Sequence, residues 1–265
     1  MKITIKDAGG STVRELTGDA VRDRNKAGLN IVKWDLRVQP LRPLPPPPGA
    51  PAGGGQGGGG GGGGGFGGGG NNGPYVLPGT YKATLSANGR DAQTIDVVVK
   101  GDPLIQINDA DRKIWFDTAR ELHQLQEKAN EVAEMVQNAF AQVQVLQQQT
   151  RSATLSPDGK QKLDAIVKEF EAVRRRLGLG QQGGGGGFGG NTENLRGRFG
   201  QVKGQIMAST ATPTNTQMMQ VREIRAALPG LIDQANAVVE KVPGLVKDLV
   251  GSGTIFPPVK PVRKG

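Results

Sequence analysis

Two runs of glycine separate the stretches of this chain that can build a core from those that have nothing to bury. Residues 38–73 hold 18 glycines and residues 178–190 hold 9, so 27 of the 43 in the 265-residue chain lie in two tracts. Ordering a glycine costs more backbone entropy than ordering any other residue, and a tract without side chains returns no apolar contact for it. Any core must therefore come from the flanking segments. These have ordinary composition and enough apolar residues for one or two small domains.

Several function classes drop out early. The chain has no Cys and one His, which removes disulfide scaffolds, thiol nucleophiles, Cys-based metal sites and any site built on two imidazoles. No apolar run reaches membrane-spanning length. The start, MKITIKDAGG, reads as a strand and a turn and lacks the apolar centre of a signal peptide. The net charge of +9 is spread out: residues 1–102 carry 12 basic and 8 acidic side chains, residues 103–265 carry 21 and 16. With aromatics at 4%, interleaved charge argues against a nucleic-acid-binding face. Arg174-Arg175-Arg176 forms the tight basic cluster, and its place near the end of a predicted helix assigns it to the helix dipole.

The N-terminal hydrophobic pattern has period two. Ile3 and Ile5 alternate with polar neighbours before an Asp7-Ala8-Gly9-Gly10 turn, and Thr12–Leu16 continues as a second strand. Val32, Trp34 and Leu36 predict a third, Tyr81, Ala83 and Leu85 a fourth, and Ile95, Val97 and Val99 a fifth. Asn88-Gly89 predicts a tight hairpin between the last two. Five short strands without helical pattern predict a β-sandwich over residues 1–102. Its interruption at 38–73 contains Pro45–Pro48, which favours polyproline II. The insert is read as a flexible loop projecting from the sandwich, or as a self-associating tract with Phe66 as its sticker. No Gly-Lys-Ser/Thr follows the glycines, so it is not a phosphate loop.

These residues resemble a known module. Ile5–Gly10 with Val13-Arg14, then Ala27–Asn30 with Val32–Asp35, then Leu77–Tyr81 are similar to three successive signatures of the FlgD-like immunoglobulin fold. The resemblance gives Asp7, Gly9, Gly28, Trp34, Asp35, Gly79 and Tyr81 structural roles as signature positions. Family members carry strand sequence ahead of the position of Ile3. The resemblance therefore implies an incomplete sandwich and a chain that is the C-terminal remnant of a longer protein, or a gene whose start is assigned too late.

After Asp102-Pro103 the period changes. Leu122, Leu125, Ala129, Val132, Val136, Ala139, Val143 and Leu146 are spaced 3-4-3-4-3-4-3, which predicts one long helix over about 109–150 with Asn108 as N-cap. Ser156-Pro157 starts a second helix with the stripe Leu163, Ile166, Phe170, Val173, Leu177. Leu195, Phe199, Val202 and Ile206 mark a third, whose Gly197, Gly200 and Gly204 predict close approach to a neighbour or fraying. Thr214 with Gln217 fits a capping box for the fourth, and Pro229 and Pro243 predict kinks or short breaks in it. The expectation is an α+β chain of two domains. An immunoglobulin-like β-sandwich (1–102) precedes an antiparallel four-helix bundle (103–252) carrying a Gly-rich loop at 178–192, and a disordered basic tail (253–265) follows.

Thr212-Pro213-Thr214 and Val242-Pro243-Gly244-Leu245 resemble features of the helical tail that follows a FlgD-like module in bacterial proteins with sortilin-like (BNR-type, exo-sialidase-like) β-propellers. That resemblance implies a non-catalytic accessory region of a secreted or envelope protein, extracellular or periplasmic, whose partner is a propeller or a second copy. The alternative it leaves open is a fragment of a sialidase-like glycosyl hydrolase whose activity lies in an absent propeller. The residues themselves suggest no reaction. His123, beside Leu122 on the long helix, reads as a partly exposed surface residue. Asp109 with Asp111 and Glu131 with Glu134 are explained by capping and solvation rather than by paired-acid hydrolysis. Trp34 and Trp115 read as core or junction anchors. No metal and no cofactor are expected.

Overall fold

The computed structural model describes residues 1–22, 28–46, 70–150, 156–179, 194–250 and 261–263. The Phe66 and Phe188 glycine tracts lie outside the described residues, apart from their ends. The chain is α+β. It divides into two compact units, Met1–Arg42 with Gly69–His123 and Lys203–Thr214, and Pro43–Gly68 with Gln124–Val202 and Asn215–Gly265. The domain boundary expected at Asp102-Pro103 therefore falls inside the first unit.

The first unit contains one antiparallel sheet of strands β1 (Lys2–Lys6), β2 (Thr12–Leu16), β3 (Gly79–Ala87) and β4 (Arg90–Val99) in the order β2-β1-β3-β4. A four-residue helix, α1 (Asp19–Arg22), follows β2. The Asp7 carboxylate shapes the first hairpin by accepting from the Ser11 N–H at 2.8 Å. Asn88 and Gly89, with φ of 51° and 75°, form the second turn. Two left-handed residues in succession match the right-handed twist of the flanking strands. Ile5, Leu16, Val21, Val76 and Tyr81 make the buried core of the sheet, with Val32, Trp34, Val38 and Val97 packed against it.

The expected third strand is corrected. Val32 and Trp34 do face the core, yet residues 31–36 join no ladder. Leu36 adopts φ 56° and is 41% exposed. A bulky side chain in the left-handed region ends an extended run, so the alternation read correctly as burial did not become strand pairing.

The unit also takes in the start of α2 (Asp109–Thr150) and the end of α4 (Leu195–Met207). Asn108 caps α2, its side chain accepting from the Asp111 N–H at 2.8 Å. Trp115 is buried and its indole N–H donates to the Ile206 carbonyl at 2.8 Å.

The second unit is helical. It contains the rest of α2, α3 (Pro157–Arg176), the start of α4 and α5 (Asn215–Val250). The α2 stripe from Ala129 to Leu146 is buried throughout, as are Leu163, Ile166, Phe170, Val173 and Leu177 of the α3 stripe. Phe140 and Phe170 meet with ring centroids 5.6 Å apart. Ser156 caps α3 by accepting from the Gly159 N–H at 3.1 Å. At the other end Gly178 takes φ 67°. Leu179 N–H then reaches the Arg174 carbonyl and Gly178 N–H the Arg175 carbonyl, the paired bonds of a Schellman stop. Arg174 lies over the Phe140 ring at 4.2 Å and donates to the Leu179 carbonyl.

One branch of each of two either-or expectations about these helices is set aside, the short breaks in one and the fraying in the other. The fourth predicted helix, α5, runs unbroken through Pro229 and Pro243. Both prolines and the glycines after them are exposed while Leu228, Leu231, Val242 and Leu245 are buried. Packing of the apolar stripe holds the helix, and water can reach the carbonyls the prolines leave unbonded. The α4 helix does not fray at Gly197, because the Asn194 side chain caps it through the Gly197 N–H at 2.9 Å. Finally, the tail expected to be disordered is held at one described point, where Asn236 of α5 bonds Val262.

Candidate functional site

The two ends of the first glycine insert are joined before the tract begins. Val76 N–H donates to the Leu36 carbonyl at 2.8 Å, Val38 N–H to Pro74 at 3.0 Å and Leu41 N–H to Asn71 at 2.8 Å. Arg37 and Tyr75 form an antiparallel bridge between them. Every one of these pairs keeps a single antiparallel register, so 36–41 and 71–76 make a short irregular stem. Arg37 secures it further, donating to the Gly73 carbonyl at 2.9 Å and lying over the Tyr75 ring at 3.7 Å. Gly73 is required by space. A Cβ there would stand 2.3 Å from Val38 Cγ2 and 2.7 Å from the Val38 carbonyl oxygen.

The stem is gripped by two helix side chains. Lys203 of α4 has no exposed surface and His123 of α2 is 6% exposed. The Lys203 ammonium donates to the Gly70 carbonyl at 2.9 Å and meets His123 Nδ1 at 3.2 Å. His123 Nε2 lies 2.8 Å from the Gln39 carbonyl. A carbonyl only accepts, so Nε2 carries the imidazole proton and Nδ1 accepts from Lys203. One helix residue thus holds each side of the stem, and the two are bonded to each other.

Burial and the positive neighbour push His123 down to about 4, the Gln39 carbonyl opposing weakly. Burial, with the Arg37 charge added, lowers Lys203 to about 8. At neutral pH the pair is a neutral imidazole and an ammonium. A lysine depressed this far invites a reading as a nucleophile or Schiff-base amine. The bonding argues otherwise, because the imidazole's only lone pair is already taken by Lys203 and its proton by a backbone carbonyl. The described bonds of the pair link Gln39 to Gly70 through the two side chains.

His123 is therefore a correction: expected on the surface, it is buried and bonded at both nitrogens. The residue that makes this possible, Lys203, was not singled out by sequence reasoning. The available signal was its position four after Phe199 and three before Ile206, on the flank of the apolar stripe of α4.

The signature positions of the β region do not converge. Asp7 and Gly9 belong to the β1–β2 turn. Gly28 takes φ 99° and its carbonyl accepts from Asn30. Trp34 donates its indole N–H to the Arg37 carbonyl at 3.0 Å and meets Tyr81 edge to face, centroids 5.4 Å apart. The Asp35 carboxylate accepts from the Arg37 N–H and lies 3.5 Å from Arg14. Gly79 opens β3 opposite Val99. The buried Tyr81 hydroxyl donates to the Leu77 carbonyl at 2.6 Å, and burial, with Asp7 nearby, raises its pKa. Among the described residues no three His, Asp or Glu side chains cluster as metal ligands, and no helix is long and apolar enough to cross a membrane.

No family model, no curated protein and no solved structure matches this chain.

Proposed function

We propose that this chain is a non-catalytic structural and interaction region whose small β module fixes the two ends of a Pro/Gly-rich insert. The observation that carries the reading is the use of the buried His123–Lys203 pair. All three of its described hydrogen bonds go to backbone carbonyls of the insert's stem or between the two residues themselves. Side chains able to act as base and nucleophile are here spent on fixing where a loop leaves the fold.

The finer architecture proposed is an incomplete immunoglobulin-like sandwich with a four-helix bundle. Support for the sandwich is the Tyr81 bond to a carbonyl four residues upstream, as in a tyrosine corner, and the packing of Val32, Trp34 and Val38 against the core of the sheet. Support for the bundle is the packing of α3 with α5 and the ion pairs Lys241–Glu169 and Arg198–Glu223 between helices. The resemblance of the β signatures to FlgD-like modules is the ground for proposing an accessory role beside a β-propeller, outside the cytoplasm, with a protein as partner.

Deleting residues 53–69 from the full chain tests the role. Gly70 and the stem residues Asn71–Val76 are retained, so the expectation is an unchanged unfolding midpoint for the β unit together with loss of self-association. A variant that unfolds, or one that associates as before, overturns the reading. So does turnover of a chromogenic sialoside by the intact chain.

A further inference from the structure

Asn236 of α5 bonds Val262 in both directions, the Asn236 carboxamide N–H donating to the Val262 carbonyl at 2.9 Å and the Val262 N–H donating to the carboxamide oxygen at 3.1 Å. A side-chain amide used this way imitates one rung of a β-ladder and reads backbone rather than side chain. Asp233 and Glu240, three before and four after Asn236, lie on the same face of the helix. The tail brings the opposite sign: Arg263 is exposed beside Val262, and the sequence adds Lys260 and Lys264. Pro261 keeps the segment from continuing as helix.

We propose that this flank of α5 is a binding site for an extended basic peptide, occupied by the chain's own C-terminal tail and exchangeable for the same segment of a second copy. The helix from Asn236 to Val250 measures about 21 Å at ~1.5 Å per residue. The eleven residue steps from Val250 to Pro261 span up to about 36 Å when extended, so the tail reaches back to Asn236 within one chain. Nothing in the two bonds distinguishes this tail from another copy's. The difference is effective concentration, on the order of millimolar for a segment tethered within the same chain. The resident tail therefore acts as a built-in competitor.

The experiment uses the full chain and a fluorescent peptide of residues Ile255–Gly265. Val262→Pro removes the N–H that Asn236 accepts, disabling the resident tail while leaving the helix untouched. This variant is expected to bind the peptide at least tenfold more tightly than the unaltered chain. Adding Asn236→Leu to it is expected to abolish binding. In the unaltered chain the Val262 amide should exchange with solvent at least several-fold more slowly than in Asn236→Leu, whose circular dichroism should be unchanged. Equal peptide binding by the unaltered and Val262→Pro chains, or Val262 exchange that ignores Asn236→Leu, overturns the proposal.

Discussion

The helical unit and the β unit hold themselves together by different chemistry. In the helical unit the buried surface is almost wholly apolar, with Phe140, Val143, Leu146, Phe170 and Val173 supplying a continuous seam. Among the described residues the core cluster of the sheet has five buried members, with further half-buried side chains packed against it. There the work passes to directed polar bonds: the Asp7 turn, the Tyr81 hydroxyl, the Trp34 and Trp115 indoles, and above all His123 with Lys203. An apolar seam responds to lost volume and ignores pH, whereas a polar fastener tolerates small losses of volume and fails when a proton arrives. The lesson is that a small sheet can carry a long irregular insertion if the backbone it exposes is bonded by buried side chains.

Four measurements test that contrast. The largest effect is expected from Phe170→Ala, which empties a fully buried ring site and should cost roughly 3–5 kcal/mol. Both tryptophans lie in the β unit, so urea unfolding followed by circular dichroism should shift strongly while the tryptophan signal shifts less. Coincident loss of the two signals would end the distinction.

Acid should act on the other side. His123 is neutral in the folded state down to about 4, whereas the unfolded chain takes up that proton near its ordinary value of 6.5. Between these values the unfolded state binds more protons, so stability falls as pH falls. The loss is roughly 2–3 kcal/mol after allowing for solvent screening. Tryptophan-detected unfolding at pH 7 and pH 4 checks it. In His123→Gln, whose amide can donate to Gln39 and accept from Lys203 without titrating, this part of the pH dependence should vanish.

Gly73→Ala should cost about 1–3 kcal/mol by forcing Val38 away from its place in the stem, read again by tryptophan fluorescence. A cost near zero would mean the stem yields easily. The smallest effect is expected at Leu36. Leu36→Gly should be neutral or stabilising by less than about 1 kcal/mol, since relief of the left-handed backbone is offset by greater freedom in the unfolded chain. A marked loss would instead show that the Leu36 side chain has a packing role.

Much of the helical unit was legible because its signals are local. The 3-4 spacing from Leu122 to Leu146 and the Ser156-Pro157 start fix helices without reference to anything distant. Within the sheet, the Asn88-Gly89 hairpin was equally local. The strand predicted at 32–36 failed because the pattern reports which side of a segment is buried, not whether its backbone finds a partner. Continuity of α5 through Pro229 and Pro243 depends on both prolines facing outward, which a propensity argument weighs too lightly. The His123–Lys203 fastener was illegible for another reason. Its four groups come from residues 39, 70, 123 and 203, and no periodicity links them.

One consequence of the stem lies in what it tolerates. Because Leu36–Leu41 and Asn71–Val76 close upon each other, whatever joins them is grafted onto a finished mouth. By loop-closure entropy alone, doubling the length of a connection adds only about 0.6 kcal/mol. The number of glycines in that tract is thus a nearly free variable, open to drift, expansion or replacement by an unrelated sequence, while the scaffold beneath carries on unaltered.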